Sequence, residues 1–270
     1  MRRRDGRCGW FVAVWLCAGP GLTAWALSIS PPVVELRVSA GARAEGSFLV
    51  RNDTQQPLVL TVETEALSSQ GYLQRPCADW LQVAPDRLVL EPGQQDEVRY
   101  VVSVSAGAQG ELAAEVVFVQ AFSSPETGGV QVRFGAALYA SIEGTERLSV
   151  RAVNVGLHTD REAADVRFRL ENTGNVHCRP EGELTVDDGA GRVVARGVLP
   201  RSAPAHPAHT DVFIAPLAGV RLAPGPYHVT ADLTCAAAAD VSATVHVDAR
   251  GTMDDAGQWH EISTNPPSPR

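Results

Sequence analysis

Gly129-Val-Gln-Val-Arg-Phe-Gly-Ala-Ala-Leu-Tyr-Ala-Ser-Ile142 is the stretch that decides the fold. Val130, Val132, Phe134, Ala136, Leu138, Ala140 and Ile142 fall on every second position, so an extended chain carries all of them on one face. A helix would scatter the same residues around its circumference, and the run is therefore a long, one-sided β-strand. Thr127-Gly128-Gly129 before it supplies the backbone freedom of a tight turn, and a second alternating run over 112–122 lies on the other side of that turn. The two together predict a hairpin.

Working outward, the same pattern fills the chain. Short apolar stretches rich in Val, Leu, Ala and Thr alternate with Gly, Pro, Asn and Asp, and no window of a dozen residues keeps a helical period. The spacing predicts strands near 33–39, 45–51, 57–65, 80–84, 86–90, 95–104, 112–122 and 129–142. After Glu143-Gly144-Thr145-Glu146 the pattern restarts, with strands near 148–157, 164–171, 177–187, 192–198, 209–215, 226–235 and 241–248. Seven or eight short antiparallel strands make one immunoglobulin-like sandwich, so the reading is all-β, with two such sandwiches in tandem. Phe48-Leu-Val-Arg-Asn52-Asp-Thr54 and Phe168-Arg-Leu-Glu-Asn172-Thr-Gly174 occupy corresponding places 120 positions apart, which supports a repeat. Pro31-Pro32 removes two backbone donors ahead of the first strand, so that segment suits an edge, or a strand that switches sheets.

The first 26 residues read as a signal peptide: Arg2, Arg3, Arg4 and Arg7, then an apolar run broken by Gly19-Pro20-Gly21, then Ala24-Trp-Ala26 as a cleavage site. The run is too short and too interrupted for a comfortable membrane span. The expected organisation is 1–26 signal peptide, 27–144 first sandwich, 145–249 second sandwich and 250–270 a disordered tail, in a periplasmic or secreted protein with no membrane span after cleavage. The 270-residue chain contains no lysine, and its 23 basic residues are all arginine. Four arginines and Asp5 belong to the signal, which leaves 19 Arg against 30 acidic residues, a balance of −11. That acidity and the lack of a basic stripe argue against nucleic acid as a partner.

Cys77, Cys178 and Cys235 follow the signal, in a compartment where disulfides form. Cys178 opens the third strand of the second sandwich and Cys235 closes the sixth; these strands are neighbours in this fold class, so a Cys178–Cys235 disulfide is expected, with Cys77 left as a buried thiol beside Trp80. Tyr227, after Leu222-Ala-Pro-Gly225-Pro, should bond back to the backbone at a strand corner. His206-Pro-Ala-His209 and His177 lack the number and spacing of a metal site, and Asp187-Asp188 before Gly189 reads as a turn. No Gly-x-Ser-x-Gly, His-Glu-x-x-His or phosphate-binding glycine loop is present, so no catalytic residues, metal ligands or cofactors are assigned and the chain is read as a non-enzyme.

Leu88-Val-Leu-Glu-Pro-Gly93, followed by a long strand and then by the hairpin around 128, resembles the first domain of PapD-type periplasmic pilus chaperones, a likeness covering most of residues 27–145. The resemblance implies a partner-binding strand, Val130, Val132, Phe134, Ala136 and Leu138, offered to an incomplete exported subunit by β-strand addition; alternation alone fits equally a face that covers the core of the first sandwich, since it says which face is apolar and not what covers it. That family anchors a subunit's terminal carboxylate with an Arg and a Lys. Here the corresponding places fall near Val34 to Leu36 and at Ala137, with Arg37 and Arg133 the nearest guanidinium groups. The second half, from Glu171-Asn-Thr-Gly-Asn-Val-His177 to Val186, is similar to immunoglobulin-like modules of bacterial surface proteins. A structural or adhesive surface or cell-wall module is therefore the alternative reading.

Overall fold

The computed structural model describes residues 27–67, 77–124, 128–159, 163–237 and 241–264. The expected signal peptide and the last six residues lie outside them. Among the described residues the chain is all-β, apart from one short 3-10 turn at Cys77–Asp79.

In the first half, β1 (Leu27–Ser30), β3 (Arg43–Asn52), β7 (Gln95–Ser103) and β5 (Leu81–Ala84) form one antiparallel sheet in the order β1-β3-β7-β5. The facing sheet, in the order β2-β9-β8-β4-β6, contains β2 (Val33–Val38), β9 (Gly128–Ile142), β8 (Glu111–Ser124), β4 (Leu58–Ala66) and β6 (Arg87–Leu90). The two prolines act as expected: β1 pairs with β3 in one sheet, and just past Pro31-Pro32 the chain enters the other as β2, parallel to β9. Between the sheets lie Phe48, Leu60, Leu90, Leu112, Phe118, Leu138 and Ile142, all inaccessible to solvent or nearly so. Phe118 meets Phe48 edge-on with ring centres 6.2 Å apart, the geometry aromatic quadrupoles favour. The Tyr100 ring lies over Gly46, where an added Cβ would fall 2.3 Å from its hydroxyl oxygen.

The second half repeats the design. One sheet is β10 (Val150–Thr159), β11 (Ala164–Asn172) and β14 (His209–Leu217). The other runs β13 (Val193–Leu199), β12 (Arg179–Asp188), β15 (Gly225–Ala236), β16 (Ser242–Met253) and β17 (Trp259–Thr264). Its separate core is built on Phe168, Leu170, Leu199, Leu217 and Leu233.

The matched Asn fragments prove to be structural equivalents. Asn52 is fully buried, donates from Nδ2 to the carbonyls of Gln56 and Leu90, and accepts the Thr54 amide on Oδ1. Asn172 is equally buried, donates to Val176 and Ala205, and accepts the Gly174 amide. Tyr227 donates to the Ala223 carbonyl at 2.8 Å, as the corner motif requires. Asp188 accepts the amides of Ala190 and Arg192 and so closes its turn.

Two expectations are corrected. The disordered tail does not begin at 250, because β16 runs to Met253 and β17 pairs beside it through Thr264. The Cys178–Cys235 disulfide is also absent, and both thiols are free and fully buried. Register gives the reason: Cys235 lies opposite Pro180, while Cys178 sits two residues further, beyond the ladder and bridged to Ala205. Such a diagonal pair is roughly 7–8 Å apart at Cα, past the usual reach of a disulfide. The neighbouring Cys235 thiol and burial together push the Cys178 thiol up. Cys77 is buried with Trp80, and burial raises its thiol as well.

Candidate functional site

The stretch that decided the fold is divided along its length. Ala136, Leu138, Ala140 and Ile142 are fully buried in the first core, and Phe134 packs against that core while half-buried. Val132 is 36% exposed. The side chain of Val130 lies outside the described residues. The expected partner-binding face is therefore corrected: Ala136 and Leu138 are core residues, and among its described side chains only Val132 is exposed.

The backbone divides at the same place. On one side β9 pairs along its whole length with β8, from Ser124↔Gly128 to Glu111↔Ser141. On the other side its partner is β2, which begins only at Val33↔Ala137. The Ala137 amide, donating to the Pro32 carbonyl at 3.1 Å, is the first bond on that side. Backbone groups alternate in direction along a strand, so Gln131, Arg133 and Gly135 point their amides and carbonyls the same way as Ala137. Among the described residues these groups have no strand beside them. The open rim from Gly128 to Ala136 is about 30 Å long at 3.3 Å per residue.

Neither expected carboxylate anchor is poised for that task. Arg37 is bonded through Nε to Glu146 at 2.8 Å. Arg133 reaches across β8 to Glu65 and, at 3.5 Å, to Glu63. Arg37 lies opposite Ser141, so eight residues of β9, roughly 26 Å, separate the two guanidinium positions along the strand.

Just below the open rim the two sandwiches meet in a polar seam that sequence reasoning missed. Gly110 adopts φ +77° and an added Cβ would lie 2.9 Å from the Asn175 carbonyl, so the halves approach there backbone to backbone. Asn175 donates to the Thr145 carbonyl, and Thr145 accepts the Gly110 amide. Glu111, with its side chain wholly buried, accepts from the Ser141 hydroxyl, the His177 amide and His177 Nδ1. His177 Nε2 faces Glu35 at 3.3 Å, and Arg179 holds the same Glu35 carboxylate at 2.8 Å. The Tyr139 ring lies on the imidazole, centroids 4.0 Å apart. Burial opposes charge on His177, yet the hydrogen bonds to Glu111 and Glu35 bring its pKa up to about 9. The bond to His177, joined by Arg179, takes Glu35 down to about 2, and burial lifts Tyr139 to about 12. Nothing in the sequence flagged this cluster, because its members are 144 positions apart at the extremes.

Beside the seam, Val33, Glu35, Arg179, Arg201 and Ser202 line an open pocket of about 330 Å³ where β2 begins. No group of three or more potential ligands that could hold a metal occurs among the described residues, and no described helix is long and apolar enough to cross a membrane.

No family model and no curated protein matches the chain. Solved structures do. The SafB chaperone of Salmonella enterica, seen in complex with the SafA pilin, is 14% identical, with a TM-score of 0.44 over 84% of this chain and 97% of that one. The class 5 fimbriae chaperone CfaA is 14% identical, with a TM-score of 0.45 over 82% and 98%. The CupB2 chaperone of Pseudomonas aeruginosa is 13% identical, with a TM-score of 0.41 over 88% and 99%. Each likeness spans most of both chains at low sequence identity.

Proposed function

We propose that this protein is a non-catalytic, exported, pilus-chaperone-like protein that captures a partner polypeptide by β-strand addition along the open rim of β9. The observation that carries the reading is the one-sided pairing of Gly128–Ala136: a row of strand backbone groups with β8 on one flank and no described strand on the other. An unmanaged edge of this length is an aggregation hazard, and a partner's strand is its natural occupant. Val132 gives that occupant an apolar contact beside the rim. The partner is an exported subunit or surface protein that lacks a strand of its own.

Two substitutions test this with little disturbance of the core. Val132→Asp puts charge where a partner side chain would pack, and Gln131→Pro deletes one outward amide while leaving the bonds to β8 in place. Each is expected to reduce capture of exported subunits about ten-fold or more, with the melting temperature unchanged. Capture that survives both, as a surface adhesin's would, overturns the proposal.

A further inference from the structure

We infer that His177 is a charged latch between the two sandwiches: its imidazolium, clamped by a carboxylate on either side, fixes their relative orientation, and loss of its proton releases it. The geometry requires the charge. Both ring nitrogens face only carboxylate oxygens, Nδ1 at 2.8 Å from Glu111 and Nε2 at 3.3 Å from Glu35. Each nitrogen must therefore carry a hydrogen, which only the doubly protonated ring does. Both carboxylates belong to the first sandwich and the histidine precedes the first strand-paired residues of β12 in the second, so the clamp spans the joint. Glu111 is wholly buried, and a neutral ring would leave its charge with hydrogen bonds from neutral donors alone in a dry site.

The charged and titratable groups around the ring are few. From β2 the ring faces Glu35, from β8 Glu111, and from β9 Tyr139 and Ser141; on its own side Arg179 holds Glu35 and Cys178 follows it in the chain. Glu115, on β8, acts only on Tyr139 from a distance. Tyr139 titrates near 12 and Glu35 near 2, so neither changes charge between pH 6 and 10. The folded pKa of His177, about 9, lies above its ordinary value of 6.5. Its stabilisation is then complete below 6.5, declines from there, and is lost as the pH rises through 9. One proton over that interval changes the folding equilibrium by up to about 300-fold.

Ring nitrogen NMR on the full chain reads the latch directly. At pH 7 both nitrogens of His177 should be protonated, with a midpoint near 9; a midpoint at or below 6.5 overturns the inference. Urea unfolding at pH 6.5 and 9 should show the large alkaline loss in the native protein and at most a threefold residue of it in His177→Gln. An equal loss in that variant refutes the latch. Residual dipolar couplings should report one interdomain orientation at pH 6.5 and a loosened one at pH 10, and an unchanged orientation at pH 10 also refutes it. The native-protein measurements decide the matter even if the variant fails to fold. They also stand apart from strand capture, which Val132→Asp and Gln131→Pro address.

Discussion

The two sandwiches share a core design and treat their sheet edges in opposite ways. In the second, the sides are closed by edge strands meeting across the sandwich. Trp259 on β17 donates its indole hydrogen to the Val155 carbonyl on β10, and Asn154 binds Glu261 at 2.6 Å. On the other side β13 approaches β14 at Gly197, where a Cβ would lie 3.0 Å from Leu217. In the first, β9 runs nine residues past the start of β2, and among the described residues no strand lies along that outer backbone. Closure of this kind guards a sheet against wrong partners, and the proposed capture would seat a right one along the strand that omits it. The difference lies in strand lengths and in what stands beside them, since Asn52 and Asn172 tie both cores with the same bonds.

Three measurements break or sharpen this comparison. The largest effect is expected within β9 itself. Leu138→Ala should cost about 3 kcal/mol in chemical unfolding, as a fully buried leucine does, while Val132→Ala, six residues away on the same face, should cost less than about 0.5 kcal/mol. Equal costs would mean that the face is buried along its whole length. Next, Asn52→Ala and Asn172→Ala each remove a donor from two carbonyls and an acceptor from one amide in a buried turn, and each should cost about 2 kcal/mol or more. A gap of more than about 1 kcal/mol between them would break the equivalence of the two cores. The smallest effect belongs to Ala208, which adopts φ 54° to bring its amide to the Asn172 carbonyl, a duty that Gly93, at φ 76°, performs for the Asn52 carbonyl in the first sandwich. Ala208→Gly relieves that conformation and should raise stability by about 0.5 kcal/mol in thermal unfolding.

Much of the fold was legible because alternation records burial. Phe168, Leu170 and Asn172 are buried while Arg167 and Arg169 are exposed, as a period of two dictates. Strand β1 escaped notice because only four residues separate the expected cleavage site after Ala26 from Pro31-Pro32. Strand β17 escaped because its residues make no apolar face: Trp259 is half-buried and Ile262 is 71% exposed, and the strand is held by the edge of β16 and by Val155. The disulfide expectation failed on register. Knowing that two strands are neighbours leaves a two-residue slip undecided, and that slip separates Cys178 from a position opposite Cys235.

By itself the sequence determined an all-β chain folded twice over, the sheet switch at Pro31-Pro32 and the paired asparagine turns, since side-chain period and backbone restriction are local properties. Only the tertiary structure decided that β9 outruns β2 and that Glu35, Glu111 and His177 converge. Hydrogen bonds within a sheet run at right angles to the side chains, so the identity of the side chains cannot say what lies alongside the backbone. Charges brought together from distant strands likewise carry no mark of their meeting in the order of residues.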